Sequence, residues 1–221
     1  MSAPLRVGVI GVGHLGRHHA RLLGTMPGVT LVGVVDQSEA RAKEIAAASN
    51  TQAFTDFRAL DGQVDAVTGW LTNTTAISAL GEDKVAMKLW DNGVQLYANP
   101  YYSTATLIEK DPEMLAGFVR AASKGWQYAY NNREAAVDLL LKDYPNLVKA
   151  DELKAADVLL AHMFTQATAK NGWGTFDPAI WQAQIDLYDQ LKQFSAGAPK
   201  LDDVITTAIL EATAAARPKI G

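Results

Sequence analysis

Three glycines and one aspartate near the amino terminus have the types and spacing of residues that hold a phosphate-bearing nucleotide. Gly11, Gly13 and Gly16 follow the spacing G-x-G-x-x-G, and Asp36 comes later in the chain. In this pattern the first glycine permits a tight turn, the second lets a pyrophosphate approach the backbone, and the third lets a helix pack closely against a strand. We expect Asp36 to accept hydrogen bonds from both ribose hydroxyls and to repel an additional ribose phosphate, a preference that nearby Arg41 would weaken.

The elements around these glycines are those that such a turn requires. An apolar, β-rich run from Leu5 to Ile10 precedes the glycines, and Arg17 to Leu23 has helical spacing. The continuous apolar run from Val29 to Val35 is typical of a strand that is buried on both faces. Because the first turn of a helix offers free N–H groups, we expect an anion or a nucleotide at the start of the first helix.

The same alternation continues along the chain and predicts a βαβαβ unit. We expect a helix from Gln37 to Ala48, a helical turn from Asp56 to Leu60, and a strand at Val64 to Val67 beside the first strand. Apolar runs at residues 85–90 and 94–98 predict two further strands. The predicted fold class is therefore α/β, with a doubly wound, mostly parallel sheet and a helix-rich C-terminal half.

The second half contains the start signals of several helices. Asp111-Pro112 and Asp177-Pro178 each place an N-cap residue before a proline, which is the usual order at a helix start. We expect Tyr101 to Ile108 to be extended. The predicted helices begin at Asp111 and span Arg133 to Lys142, Asp151 to Gln166, Asp177 to Phe194 and Asp202 to Ala216.

The N-terminal segments "VGVIGVGHLGRHHARLL", "LVGVVDQSEARAKEIA" and "FTDFRAL" resemble the cofactor domain of the glucose–fructose oxidoreductase and inositol dehydrogenase family. The resemblance implies NAD(P) bound by Gly11, Gly13, Gly16 and Asp36. That family also carries a catalytic lysine in a Glu-Lys-Pro motif, which this chain lacks, since Glu109-Lys110 is followed by an aspartate. We assign no catalytic residue and leave the question of enzymatic activity open, with the balance against it.

From about residue 62 the sequence is similar to another family. The segments "GQVDAVTGWLTNT", "VQLYANPYYST" and "FDPAIWQAQIDLYDQL" resemble the C-terminal part of periplasmic substrate-binding proteins for thiamine precursors, nitrate and sulfonates. The resemblance implies that Trp70, Asn73 and Tyr97 lie near a ligand cleft, where aromatic rings would stack on a flat heteroaromatic molecule. The alternative, which we favour, is that these aromatic residues pack the core.

The two resemblances meet near residues 60–64, and we interpret the chain as a chimera without physiological activity. Its origin is either natural recombination, which would leave most of the first lobe missing, or engineering, which explains the sequence better. A Rossmann-like half at residues 1–67 would pack with a binding-protein-like segment at 68–221 into one composite domain. Such a protein requires no cofactor but would retain weak NAD(H) or anion binding at the glycine turn. The alternatives are an NAD-dependent oxidoreductase of the glucose–fructose oxidoreductase type and a small-molecule binding protein.

Composition and charge argue against several other classes. The net charge is −4, with no basic stripe along the sequence, so we expect no nucleic-acid partner. There is no cysteine, and adjacent His18 and His19 face different directions, so we expect no metal site. Because no apolar run is long enough to cross a membrane and Met1 to Leu5 is no secretory signal, we expect a cytoplasmic protein without a membrane partner. Exposed apolar helix faces would allow a homodimer.

Overall fold

The chain forms an α/β unit followed by a helical unit. The computed structural model describes residues 3–72, 81, 84–97 and 99–221. The chain divides into the units Met1–Lys84 and Val85–Gly221. The predicted α/β class with a helix-rich C-terminal half is confirmed. The boundary between residues 67 and 68, and the packing of both parts into one domain, stay predictions.

A parallel sheet organises the first unit. Its four strands are all parallel and lie in the order β3-β2-β1-β4. The βαβ connections therefore place the carboxyl ends of all strands at one edge of the sheet. The elements are β1 (Leu5–Ile10), α1 (Gly16–Leu23), β2 (Val29–Val35), α2 (Glu39–Ala48), β3 (Gln52–Phe54), a 3-10 helix (Phe57–Leu60) and β4 (Ala66–Thr68).

The strand at the junction of the two resemblances lies where the sequence predicts it. β4 pairs in parallel with β1, with Val7 opposite Ala66 and Val9 opposite Thr68. The prediction that this segment lies beside the first strand is confirmed, although β4 begins two residues later than expected. Leu60, in the 3-10 helix before it, is 2% exposed. A Cβ added to Gly8 would lie 2.5 Å from the Leu60 Cδ1, so Leu60 fills the space that Gly8 leaves open.

An ion pair joins the amino ends of β1 and β4. The Arg6 Nη2 lies 2.6 Å from the Asp65 Oδ1, and the Arg6 backbone N–H donates to the Asp65 Oδ2 at 2.9 Å. The Asp65 N–H in turn donates to the Arg6 carbonyl oxygen at 2.8 Å. Backbone and side chains together therefore connect the segment before β4 to the first strand.

Replacing Asp65 with asparagine should lower the melting temperature near pH 7, and this loss should disappear in acid. The Arg6 guanidinium and the Arg6 N–H bind the Asp65 carboxylate and lower its pKa. A carboxyl group whose pKa is lowered on folding stabilises the protein above its unfolded pKa of about 3.9. That contribution is lost as the pH falls through the folded pKa, which lies below the unfolded value.

Thermal melts from about pH 2 to pH 7 measure this difference between wild type and Asp65→Asn. Asp61→Asn is the matched control, because the Asp61 side chain has no ion pair within the part of the chain that the structure describes. Equal melting temperatures for wild type and Asp65→Asn at pH 7 would contradict the expected role of the pair.

Three predictions of local structure in this part of the chain are wrong. Residues 51–55, between the predicted helix ending at Ala48 and the helical turn beginning at Asp56, contain the edge strand β3, where we predicted no strand. The predicted strands at residues 85–90 and 94–98 are absent from the described residues. There the chain is irregular around a 3-10 helix at Trp90–Asn92. Val85 is 92% exposed and Met87 83%, so the apolar alternation there lacks the buried face that stabilises a strand.

Helices make up most of the second unit, and the two helix starts predicted at Asp111-Pro112 and Asp177-Pro178 are confirmed. Asp111 accepts a hydrogen bond from the Met114 N–H at 3.0 Å, and Asp177 accepts one from the Ala179 N–H at 2.9 Å. Each aspartate precedes a helix with proline in its first turn. The helices are α3 (Ala105–Lys110), α4 (Pro112–Asn131), α5 (Arg133–Asp143), α6 (Lys149–Met163), α7 (Gln166–Asn171), α8 (Pro178–Gln190), α9 (Leu201–Val204) and α10 (Ala208–Ala212).

Helix ends differ from prediction where side chains compete for the backbone. The expected extended stretch at 101–108 contains α3, because the Thr104 hydroxyl accepts from the Leu107 N–H and starts a helix. The helix expected at 151–166 ends at Met163 as α6, and the capping box of Thr165 and Thr168 begins a separate helix, α7. The helix expected at 177–194 ends at Gln190, and the one at 202–216 is two short helices.

The second unit has its own hydrophobic core. Leu160, Phe164 and Trp173 form a buried cluster, and Ile220 near the C-terminus packs against it. The Thr168 hydroxyl donates to the Ile220 carbonyl oxygen at 2.8 Å. Within the described residues, no helix is long and apolar enough to span a membrane.

Candidate functional site

The glycine turn follows β1 directly and has the backbone conformation that glycine supplies. Gly11 has a φ of +83°, which L side chains rarely adopt. Its N–H donates to the Val35 carbonyl oxygen at 2.8 Å, and this bond joins the turn to the end of β2. The prediction that Gly11 lies in the first βα turn is confirmed.

Gly16 begins α1 and packs on the turn itself. A Cβ at Gly16 would overlap the carbonyl oxygen of Gly11, so only glycine permits this approach. The Arg17 N–H donates to the Gly13 carbonyl oxygen at 3.2 Å. The first turn of α1 therefore lies directly beside the glycine turn, as an anion site at a helix N-terminus requires.

Asp36 lies at the carboxyl end of β2, as predicted, and connects the glycine turn to α2. Its Oδ2 accepts from the Val12 N–H at 3.1 Å, and its Oδ1 accepts from the Ser38 N–H at 2.9 Å. The Arg41 Nη1 lies 3.5 Å from the same Oδ2. Since each carboxylate oxygen has two lone pairs, Asp36 can hold the turn and still accept a hydrogen bond from a ribose hydroxyl.

The space in front of the turn is open. A Cβ at Gly11 would meet nothing within 4 Å, and one at Gly13 would meet the Arg41 Nη1 at 3.8 Å. A ligand can therefore approach the backbone of both residues, with the Arg41 guanidinium at the edge of the approach. That position agrees with the expectation that Arg41 reduces the repulsion between Asp36 and an additional phosphate.

The four residues assigned to the cofactor are thus brought together, but those assigned to a heteroaromatic ligand are not. Trp70 follows β4 in the first unit and is 65% exposed. Asn73 lies outside the described residues. Tyr97 belongs to the second unit.

Tyr97 lies in an aromatic cluster of the second unit. Its ring centroid is 5.8 Å from those of Trp90 and Trp181 and 6.4 Å from that of Phe176. Its hydroxyl oxygen accepts from the Asp177 N–H at 2.8 Å, at the start of α8. These contacts make Tyr97 a packing and capping residue. On the same helix the Trp181 Nε1 and the Gln184 Oε1 are buried without a hydrogen-bond partner.

Two contributors to the site were not recognised in the sequence. The Val12 N–H belongs to an apolar residue inside the glycine motif, and a backbone donor leaves no signal in side-chain type. Ser38 does leave a signal, because it immediately precedes a helical run and is an N-cap by type. Its hydroxyl accepts from the Arg41 N–H at 3.4 Å, which begins α2 where Arg41 can reach Asp36.

Two cavities among the described residues lie away from the glycine turn. Two open grooves have volumes of about 410 Å³ each. One lies between α2 and the end of β3, and the other lies where α4 meets α5. In the first groove, the charges of Lys43 and Asp56 are paired with Glu39 and Arg58. Within the described residues, no group of three or more His, Cys, Asp or Glu side chains could hold a metal ion.

The family model described as NMT1/THI5 like matches residues 29–136 of the chain. The matched segment begins with β2, includes β3 and β4 but not β1, and ends inside α5. The match supports the second resemblance for residues 62–136, but it begins at residue 29 rather than near residue 62 and ends well before the C-terminus that the resemblance was expected to reach.

A dehydrogenase is also similar to part of the chain. The UDP-N-acetylglucosamine 3-dehydrogenase of Acidithiobacillus ferrooxidans is 44% identical over 84 residues, which are 38% of this chain and 25% of that protein. Structures of the same enzyme in two crystal forms are 39% identical, with a TM-score of 0.32. They cover 36% of this chain, and the chain covers 27% and 26% of theirs. The chain therefore spans about a quarter of the length of these relatives.

Proposed function

We propose that the glycine turn of the first unit binds the adenosine diphosphate part of NAD(H), weakly and without hydride transfer. The observation that carries the proposal is the contact of Gly16 with the Gly11 carbonyl. This contact holds the start of α1 against a turn whose outer side is open. The free N–H groups at the start of α1 and the positive end of the helix dipole then face one small region, which suits a pyrophosphate.

The position of Asp36 supports the adenosine side of the cofactor as the bound half. Its carboxylate shares one oxygen with the Val12 N–H, so the ribose-binding group and the phosphate-binding turn are held in a fixed relation. The similar dehydrogenase supports a nucleotide cofactor as the ligand, because it is 44% identical to this chain over 84 residues. The cofactor would require no protein movement to reach Gly11 and Gly13.

We infer that the chain joins two lineages, and the overlap of the similarities supports this. The NMT1/THI5-like match starts at residue 29, inside elements that also follow the dehydrogenase pattern. β2, α2 and β4 would then be elements that both lineages use in equivalent positions, with the junction near residues 60–64. The engineered origin that the sequence suggested remains part of this proposal.

We expect no hydride transfer because of where the Glu-Lys pair lies in the fold. The Glu109-Lys110 pair ends α3 in the second unit, and the next residue, Asp111, caps α4. Hydride transfer requires a nicotinamide and a substrate carbon held together with an acid or base in reach. We therefore expect no reduction of NAD with sugars or inositols, measured by absorbance over hours at high protein concentration.

Replacing Gly13 with valine should abolish NADH binding while the protein stays folded. The Cβ has room, since its nearest neighbour is the Arg41 Nη1 at 3.8 Å, but the side chain would occupy the path of the pyrophosphate. A site with half the contacts of a micromolar site should bind with a dissociation constant of about 1 mM, since each tenfold loss is about 1.4 kcal/mol. Titration of NADH, followed by nicotinamide fluorescence, measures it.

Gly125→Val is the control, because a Cβ there also meets nothing within 4 Å and the residue lies inside α4 of the second unit. We expect wild-type affinity for Gly125→Val and at least tenfold weaker binding for Gly13→Val, with reduced binding for Asp36→Ala. Equal binding by the wild type and Gly13→Val would place NADH elsewhere and contradict the proposal.

A second candidate function, binding of a small heteroaromatic molecule, is favoured by one observation. The Trp181 Nε1 is a donor and the Gln184 Oε1 an acceptor, and both are buried and unpaired beside the aromatic cluster. Together they could bind the edge of a ring that carries one acceptor and one donor. Quenching of tryptophan fluorescence by an aminopyrimidine in the wild type, and its loss in Gln184→Leu, would support this function. No saturable quenching would remove it.

A further inference from the structure

The outer face of α1 and the turn before it carry a cluster of basic side chains. His14, Arg17, His18 and Arg21 are all exposed. Their spacing of three, four and seven residues places them on one side of the helix. The residues that α1 buries, Gly16 and Ala20, lie on the opposite side. We call these four side chains the basic patch.

The members of the basic patch contact one another rather than acids. The Arg17 Nη2 lies 3.2 Å from the His14 Nδ1, and the His14 and His18 ring centroids are 5.9 Å apart. The pKa of His18 is lowered, first by partial burial and then by the positive charges of Arg17, His14, Arg21 and His19. The permanent positive charge of the patch therefore lies on Arg17 and Arg21, with the two imidazoles beside them.

The other arginines of the first unit each have an acidic partner. Arg17 and Arg21 have no carboxylate within ion-pair distance in the described part of the chain, and the sequence from Val7 to Val35 contains no aspartate or glutamate. The contrast is with the pairs Arg6–Asp65, Arg41–Asp36, Lys43–Glu39 and Arg58–Asp56. Among the arginines of the first unit, the two without an ion pair in the described part of the chain therefore both belong to the basic patch.

We propose that the basic patch binds a compact oligophosphate, meaning several phosphate groups carried close together on one small molecule. Arg17 and Arg21 are one helical turn apart, about 6 Å along the axis, so their guanidinium groups can bind neighbouring phosphates of one ligand. Guanidinium groups bind phosphate oxygens in pairs, which gives both energy and orientation.

The charge of the whole chain favours a compact ligand over a long one. The net charge is −4, so the positive region is local. A small anion experiences only charges within about 10 Å, which is the screening length at 0.1 M salt. An extended nucleic acid would also meet the acidic remainder of the surface. The proposal does not depend on NADH binding at the glycine turn.

The test is a titration with inorganic tripolyphosphate at low salt, followed by amide chemical shifts or calorimetry. The double variant Arg17→Gln/Arg21→Gln should bind about tenfold more weakly than the wild type. The loss is no larger because each exposed charge contributes little binding energy on its own. The control Lys43→Gln/Arg58→Gln removes the same charge from the same unit at residues that are already paired. It should bind within about twofold of the wild type.

Two further arms locate the ligand and identify its source. Gly13→Val should keep tripolyphosphate binding, because Arg17 and Arg21, which carry the permanent charge of the patch, lie on α1 beyond the blocked turn; loss of binding in that variant would overturn the proposal. A sugar bisphosphate shares the ligand chemistry, so binding of either molecule supports the proposal, and the tighter one identifies the source. Equal binding by the wild type and the Arg17/Arg21 double variant, or tighter binding of a single-stranded oligonucleotide, would overturn it.

Discussion

Replacing Gly16 with alanine should unfold the first unit or destabilise it by about 3 kcal/mol or more. The added Cβ would overlap the Gly11 carbonyl oxygen. Both groups belong to backbone that is held in place, Gly11 by its hydrogen bond to the Val35 carbonyl and Gly16 by the first turn of α1. The overlap can be relieved only by moving α1 away from β1, which would open the core around Ala20.

Hydrogen exchange of the Val7 and Val9 amides in β1, with and without denaturant, measures this loss in the first unit. Gly125→Ala is the control, because Gly125 lies inside α4 and a Cβ there meets nothing within 4 Å. Alanine at that helical position should stabilise the protein by up to about 1 kcal/mol. Wild-type protection of β1 in Gly16→Ala would show that α1 does not pack on the turn as described.

The second large effect is expected at Leu60, where the two resemblances meet. Leu60→Ala should destabilise the first unit by about 2–5 kcal/mol, the usual range for a buried leucine that leaves a cavity. The Leu60 side chain is 2% exposed and occupies the space next to Gly8 in the central strand. Gly8 has no side chain that could fill the cavity, so we expect the surrounding structure to relax little.

Leu22→Ala provides the comparison, because Leu22 is 48% exposed on α1 and should change stability by no more than about 0.5 kcal/mol. Denaturant melts followed by exchange of β1 amides report both variants. If Leu60→Ala lowered the free energy of unfolding as little as Leu22→Ala does, the junction segment would not be part of the core of the first unit.

Local sequence was sufficient for the elements that are long and carry distinct signals. The run from Leu5 to Ile10, the glycines after it, and the apolar strand ending at Asp36 form a pattern that few other folds produce. The three-residue strand β3 is too short for any periodicity, and its pairing depends on β2. Conversely, residues 85–90 have a strand-like pattern but pair with no other strand in the described structure. Their intrinsic preference for the β conformation therefore does not produce a strand.

The candidate site was predicted by residue type but not by arrangement. That Asp36 lies near the glycine turn follows from strand order, since parallel strands end at the same edge of the sheet. That its carboxylate binds the Val12 N–H depends on backbone directions that only the folded chain defines. The basic patch was missed because its four members, although they lie within eight residues, are not consecutive in the sequence. The helical repeat places them on one side of α1, where Arg17 and Arg21 have no acidic partner among the described residues.

The comparison of ADP-ribose with NADH tests most directly whether the glycine turn is a half-site. Both ligands carry the adenosine and the pyrophosphate, but only NADH carries the nicotinamide. If the protein holds only the shared part, the two dissociation constants should agree within about threefold and lie near 1 mM. NADH binding that is more than tenfold tighter than ADP-ribose binding would contradict the half-site, because the nicotinamide would then contribute contacts of its own.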